Sequence, residues 1–133
     1  MKGRAARRGS TLVESAVVAT AFLVLLTGVM EFGCIGFAYN AVSFAAQRAA
    51  RYAAVRGAGS GHPASAADVQ AAAKVYTGAL DNSKVTVTTT WLPDNQAGST
   101  VQVKVSYSFA VALVPISAKA LTLQTTSRHI ITQ

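Results

Sequence analysis

The stretch that decides the fold is STLVESAVVATAFLVLLTGVMEFGCIGFAYNAVSFAAQRAARYAAVRG, residues 10–57. Between Glu14 and Glu31 it holds sixteen consecutive residues without a charge, and the chain after Glu31 stays uncharged until Arg48. A helix needs roughly 20 apolar residues to cross the hydrocarbon core of a bilayer. The stretch is therefore long enough to span a membrane once.

Helical spacing continues beyond the apolar run. The positions that keep the three-four spacing, with no proline among them, are Phe37, Asn40, Ala41, Phe44, Ala45, Arg48, Arg51, Tyr52 and Val55. A glycine-rich loop, residues 57–63, then ends the pattern. We predict one helix from about Thr11 to Arg56, on the order of 70 Å long at 1.5 Å per residue. Its far half must project beyond the bilayer and pack on something.

The positive charge is concentrated before this helix. Four of the twelve cations, Lys2, Arg4, Arg7 and Arg8, lie in the first eight residues. The positive-inside rule then places the N-terminus in the cytoplasm and the rest of the chain beyond the membrane. A secretory signal peptide is the competing interpretation, because it also has a basic start and an apolar run of about 7–15 residues. The helical pattern that continues past the run favours an anchor.

Length and composition are those of one domain, with room for an appended segment. Of 133 residues, 51% are hydrophobic and 13% are charged, against about a quarter charged in a typical soluble domain. The net charge is +7, but without the first eight residues eight cations face five anions, so we expect no nucleic-acid partner. The single cysteine, Cys34, excludes a disulfide within the chain.

The segment after the glycine-rich loop, ASAADVQAAAKVYTGALDN, predicts a short amphipathic helix over residues 65–80. Ser65 is suited to the N-cap position and Asp68 follows three residues later. The apolar side of this helix is expected to contain Val69, Ala72, Ala73, Tyr76 and Leu80.

The period then changes to two, which predicts strands. In KVTVTTTW one face carries Val85, Val87, Thr89 and Trp91, and in VQVKVSYSFAVAL one face carries Val101, Val103, Val105, Tyr107, Phe109, Val111 and Leu113. The turn-rich LPDNQAGS between them predicts an antiparallel hairpin. After VPISAKA, the stretch LTLQTTSRHIIT adds a third strand.

A small sheet with one apolar face needs a cover, and the outer half of the long helix is the nearest amphipathic element. The predicted fold class is therefore α+β, with a membrane-spanning helix that continues into a small head, like a lollipop. The predicted boundaries are a basic leader at 1–9, a transmembrane helix at 10–36 and a head at 37–133. Within the head, residues 37–56 continue the helix, 65–80 form the second helix and 84–131 form the three strands.

Glu14 stands at the start of the apolar run and needs an explanation. One interpretation is a capping box, because Thr11-x-x-Glu14 fits S/T-x-x-E at a helix N-terminus. The other is an assembly element, because a carboxylate within a bilayer costs a few kcal/mol and has to find a partner or stay near the interface.

The run GSTLVE, Gly9 to Glu14, after a basic leader and before an apolar helix, resembles the processing site of type IV pilin-like proteins. The wider run from Arg7 to Gly57, with its early VE, EFG at Glu31 to Gly33, AYNAV and AARYAA, resembles the TadE-like family, the minor pseudopilins of the tight-adherence (Tad) pilus system. The resemblance implies that a prepilin peptidase cuts between Gly9 and Ser10. Glu14 is then the fifth residue of the mature chain. Ser15 departs from the aromatic residue that often follows the glutamate in major pilins, which favours a minor role.

The same resemblance implies where the chain acts and with whom. Its partners would be the prepilin peptidase, other pilin or pseudopilin subunits, the pilus assembly platform and the membrane. The chain would sit in the bacterial inner membrane and then move into a pilus at the cell surface, where it serves assembly, adhesion or secretion. The alternative is a permanently anchored scaffold with an extracytoplasmic interaction domain, and an anchored module that binds a surface or extracellular DNA is more distant.

Other candidate positions have weaker signals. Gly28, Gly33 and Gly36 allow close helix–helix approach in membranes, or only soften the helix. Glu31 is expected to be a solvated carboxylate at the outer interface or to face a partner helix. Metal-ligand spacing, a nucleophile elbow and a phosphate-binding glycine loop are all missing from the sequence. We therefore predict no catalytic residue, no cofactor, no metal and no enzymatic activity.

Overall fold

The computed structural model describes residues 3–111 and 120–133, with side chains from Gly9 onward. The first helix, α1, runs without a break over Gly3–Ala54. It begins about two turns before the predicted start at Thr11, because arginine and alanine fill residues 4–8 and both are strong helix formers. Gly9 weakens the helix by only about 1 kcal/mol, which is too little to end it.

The two halves of α1 have different surroundings. Residues 9–27 are exposed throughout, whereas the far half buries an alanine-rich face. That face consists of Ala38, Val42, Ala45, Ala46, Ala49, Ala50, Ala53 and Ala54. Because alanine carries only a methyl group, other elements can approach the helix closely along this face. The far half of α1 is the spine of the head, as predicted, and we call residues 9–36 the stalk.

Three antiparallel strands form one sheet in the order β1-β2-β3. Their bounds are Val85–Leu92 for β1, Thr100–Phe109 for β2 and Leu121–Ile130 for β3. Val101, Val103 and Val105 on the central strand are fully buried, and each contributes about 1.5–3 kcal/mol through burial of its side chain. Side chains alternate between the core and the outside, so the predicted hairpin and third strand are confirmed.

The strands run along the far half of α1. At one end the backbone N–H of Thr132, just after β3, donates to the carbonyl oxygen of Ala54 at 3.0 Å. At the other end Phe109 borders a groove that Cys34 and Phe37 also line. The twenty-residue rise from Cys34 to Ala54 and the ten residues of β2 each span about 30 Å. The sheet therefore covers α1 above the stalk and gives the chain the predicted lollipop shape.

The second helix, α2, covers Ala66–Tyr76 and starts with the capping box expected at Ser65. The backbone N–H of Asp68 donates to Ser65 Oγ at 3.2 Å, and the Ser65 N–H donates to the Asp68 carboxylate at 2.9 Å. The helix ends four residues before the predicted Leu80. Thr77 is buried and its hydroxyl donates to Asn82 Oδ1 at 2.8 Å, which turns the chain toward β1.

Gly57 closes the junction between α1 and the C-terminal segment. A Cβ atom at this position would collide with the carbonyl oxygen of Gln133 and with Ile131 Cγ2. Ile131 itself is 1% exposed, and its backbone N–H donates to the Ser99 carbonyl at 2.8 Å. Gly57 thus permits a close approach that a side chain would block.

Several predicted positions lie outside what the structure describes. They are the side chains of Lys2, Arg4, Arg7 and Arg8, the inward position of Leu113, and residues 114–119 of the segment that precedes β3. Val111 lies just beyond β2 and is partly buried.

Candidate functional site: the uncovered stalk

The predicted processing bond, Gly9–Ser10, lies inside α1. Helical backbone continues for six residues before Gly9 and through the whole stalk after it. A protease binds its substrate in an extended form, so cleavage at this bond requires the first turns of α1 to unwind.

The fold itself gives no reason for glycine at position 9. A Cβ atom there would meet no other atom within 4 Å. Alanine would favour the helix by about 0.8–1 kcal/mol. The packing of the described residues therefore does not require glycine at position 9.

Glu14 is an exposed carboxylate on the exposed part of the stalk. It lies in a shallow depression lined by Thr11, Glu14, Ser15, Val18, Ala19 and Phe22. Within the described residues, no hydrogen bond or ion pair of Glu14 is found. Its charge is thus available to a group from another molecule.

In the uncut chain, Thr11 and Glu14 do not form an N-terminal capping box. Both residues lie in the interior of α1, which begins at Gly3. The backbone N–H groups near Thr11 are already used within the helix, so an N-cap has no free donors to satisfy there.

The stalk glycines Gly28, Gly33 and Gly36 also have no intramolecular purpose. A Cβ atom at any of the three would meet nothing within 4 Å. At about 100° per residue, Gly33 and Gly36 lie about 60° apart around the helix, whereas Gly28 lies about 140° from Gly33. Gly33 and Gly36 can therefore share one contact with a neighbouring helix, and Gly28 faces elsewhere.

Glu31 lies in the part of the stalk nearest the head. It is partly buried and takes part in an interaction, so it differs from Glu14. The expectation that it faces a partner helix stays a prediction.

Two arginines of the head lie on aromatic rings, which the sequence did not indicate. The Arg48 guanidinium lies 4.9 Å from the centroid of the Phe44 ring, and that ring meets Tyr76 of α2 edge-on at 5.3 Å. Arg56 lies 4.4 Å from the Tyr52 ring centroid, and its Nη1 donates to Tyr52 Oη at 2.6 Å. The aromatic–arginine spacing of four residues was the signal that could have revealed both pairs.

Three aspartates in the head are held by their own neighbours. Hydrogen bonds from the Ser65 side chain and backbone hold the pKa of Asp68 below its ordinary 3.8. Ser83 has the same effect on the pKa of Asp81, as do the Ser99 hydroxyl and the Gln96 N–H on that of Asp94. Each carboxylate thus completes a local turn or cap.

The described residues contain no group of three or more histidine, cysteine, aspartate or glutamate side chains that could hold a metal ion. Cys34 is exposed on the stalk, His62 lies in the loop after α1, and His129 lies on β3. These residues belong to separate parts of the fold.

The fold and the site together define a class of protein. Within the described residues one helix, residues 9–54, is long and apolar enough to cross a membrane, with a mean hydropathy of 2.1 in its most apolar window and none of that window buried. Because the same helix continues into the core of an α+β head, the chain has a pilin-like lollipop shape with a candidate membrane anchor.

Comparison with known proteins adds a family similarity over part of the chain. Residues 9–51 match the family model described as TadE-like protein. The match confirms the resemblance predicted from the sequence and associates the chain with the Tad pilus system and the membrane. It covers the stalk and most of the head-bound part of α1, and it stops before the sheet. No curated protein and no solved structure matches the chain.

Proposed function

We propose that this chain is a minor pilin or pseudopilin of a Tad-type pilus. It enters the inner membrane with its N-terminus in the cytoplasm and its head outside, and a prepilin peptidase cuts it between Gly9 and Ser10. It then leaves the membrane and packs by its stalk against other pilus subunits, at the tip, base or shaft of the filament. Its own role is structural rather than catalytic, and in the processing step it is the substrate.

The observation that carries this proposal is the exposed Glu14 on an uncovered apolar helix. A carboxylate within the hydrocarbon of a bilayer costs up to a few kcal/mol, and the described residues give Glu14 no partner. Cleavage creates an α-amino group at Ser10, one helical turn away. The electrostatic attraction between this positive charge and the Glu14 carboxylate is strongest where packed helices exclude water.

We propose that the cation comes from a neighbouring subunit. Pairing of Glu14 with the terminus of its own chain is already available in the membrane, so it offers no gain on assembly. Pairing with a neighbour's terminus forms only in the filament and therefore favours assembly. Gly9 serves the first step, because it weakens the helix at the bond that must unwind.

Intact-mass analysis of the protein from its host tests the processing step. The mature chain should begin at Ser10. A chain that still begins at Met1, in cells with an active peptidase, would support the permanently anchored scaffold and overturn the pilin proposal.

Glu14→Val tests the assembly step. Cleavage should survive while the amount of the chain in isolated pili falls, because the apolar helix is kept and the charge is lost. Thr20→Val is the matched control, since the Thr20 hydroxyl already donates to the Ala16 carbonyl at 2.8 Å and needs no partner. Equal incorporation of the two variants would remove Glu14 from the mechanism.

A further inference from the structure

Among the described residues, the head carries an exposed face of α1 that the sheet leaves open and that α2 meets at Phe44, through the Tyr76 ring. We call Phe44, Arg48, Arg51 and Val55 the arginine face. At about 100° per residue these four lie within about 60° of one another, roughly opposite the buried alanines. Phe44 is 46% exposed and Val55 is 49% exposed, and both arginines are exposed. Below it on the same side of α1, Phe37, Gly33 and Met30 are exposed and line a groove that Leu80 and Phe109 of the head also border.

No carboxylate of the described residues pairs with the two arginines. The one ion pair found in the described part of the chain joins Lys84 to Asp81. Arg48 is held on the Phe44 ring instead, which keeps its guanidinium directed outward on a fixed support. The arginine face therefore combines two unpaired positive charges with apolar side chains.

A second copy of the chain does not suit this face. By sequence the head, residues 37–133, holds eight lysines and arginines against three aspartates, and no carboxylate occurs between Glu31 and Asp68. A second copy of α1 thus presents arginines, not carboxylates, at this height. The three aspartates of the head, Asp68, Asp81 and Asp94, are already held by serine hydroxyls.

Lipid headgroups do not reach this face. Arg48 and Arg51 lie about 18 and 22 Å along the helix from Gly36, where the predicted transmembrane helix ends. The headgroup layer on each side of a bilayer is only about 5–8 Å thick. Nucleic acid is disfavoured because two arginines flanked by Phe44 and Val55 offer few phosphate contacts.

We infer that the arginine face binds an α-helix of a different, acidic pilus subunit, with carboxylates level with Arg48 and Arg51 and apolar residues below them. The inference rests on the proposed function and names the kind of neighbour that the stalk packs against. Electrostatic complementarity then selects a neighbour of another kind over a second copy of this chain. The chain consequently enters the filament beside unlike subunits.

Carbodiimide cross-linking in piliated host cells tests this inference. The double variant Arg48→Lys/Arg51→Lys keeps both charges and supplies amines that join directly to a contacting carboxylate. Mass spectrometry should find position 48 or 51 linked to an aspartate or glutamate in a helix of another pilus subunit. A link to a second copy of this chain, or links only at the native lysines such as Lys74 and Lys84, would overturn the inference.

Charge reversal supplies the second measurement. Arg48→Glu/Arg51→Glu should lower the amount of the chain in isolated pili about tenfold or more, because two attractions become repulsions. The matched control, Lys104→Glu/Arg128→Glu, makes the same charge change on the outer face of the sheet and should stay within about twofold of the unsubstituted chain. Equal losses in the two variants would overturn the inference. Binding of a short DNA duplex by the full chain in zwitterionic nanodiscs, if it depends on Arg48 and Arg51, would also overturn it. Absence of the unsubstituted chain from pili contradicts the proposed function itself and is a different outcome.

Discussion

Val103→Ala tests whether the sheet and the far half of α1 form one cooperative unit. Val103 is fully buried on the central strand, between Thr89 of β1 and Ser127 of β3. The substitution removes the equivalent of two methylene groups, which costs about 1.6 kcal/mol of transfer free energy. A residual cavity of roughly 50 Å³ adds about 1.2 kcal/mol where the surroundings do not collapse. We expect a loss of about 2–3 kcal/mol in the free energy of unfolding of the head.

The expected shift in the melting temperature of the head is large enough to measure. For a domain of 60–100 residues each kcal/mol moves the midpoint by about 4–8 °C, so a loss near 2.5 kcal/mol lowers it by roughly 10–20 °C. Trp91 is the single tryptophan and lies partly buried on the inward face of β1. Its fluorescence in detergent-solubilised full chain reports on the head alone. Far-UV circular dichroism follows the whole of α1.

The fluorescence and circular dichroism signals together show whether the head unfolds as one unit while the stalk helix persists. Val103→Ala should lower the fluorescence midpoint, and the helical signal of the stalk should persist above it, because the stalk helix is held by its apolar solvent rather than by the head. The control Thr88→Ala, at an exposed position on the outer face of β1, should move the midpoint by only a few degrees. A shift for Val103→Ala no larger than that of Thr88→Ala would refute the assignment of Val103 to the core.

Further predictions concern the stalk, the junction and the aspartates. Gly33→Leu should leave the melting temperature of the head unchanged and reduce incorporation into pili, since only a neighbouring helix would meet the new side chain; quantification of the chain in isolated pili checks this. Gly57→Ala should destabilise the head by about 1–3 kcal/mol, because its Cβ collides with the C-terminal segment, and Gly61→Asn, at φ 75° in a loop, should cost less. The lowered pKa values of Asp68, Asp81 and Asp94 favour the charged form in the folded head. Stability is thus fully present above the ordinary pKa of 3.8 and is lost as pH falls through the lower folded values; midpoints from Trp91 fluorescence between pH 7 and pH 3 should fall only at the acid end.

Local sequence patterns were sufficient to predict the short helix and the strands of the head. Alternation of valines over β2 predicted its inward face, and the Ser65 and Asp68 spacing predicted the cap of α2, because both depend on residues a few positions apart. The start of α1 was predicted wrongly at Thr11. A capping signal is only a weak preference, and the arginine and alanine residues before Gly9 continue the helix beyond it.

The role of the candidate site stays a prediction, and the structure shows only the surroundings of its residues. Gly9, Ser10 and Glu14 were chosen by their order along the chain, and the structure places all three on one uncovered helix. The sequence left capping and assembly open for Glu14. In the uncut chain the interior position of Thr11 in α1 excludes an N-terminal capping box. That exclusion depends on where the helix begins, which the local motif does not contain.

The sequence by itself indicated a candidate membrane span, the predicted orientation of the chain, and the number of strands and their order along the chain. Each of these depends on composition or on a short period. The tertiary structure decided which faces of α1 are buried and which remain exposed. The alanine face of α1 is buried only because the sheet lies along it, and the arginine face is exposed only because α2 and the sheet occupy the other sides. The need for glycine at position 57 likewise arises from Gln133, far along the chain. These features depend on contacts between residues distant in sequence, which periodicity and propensity do not encode.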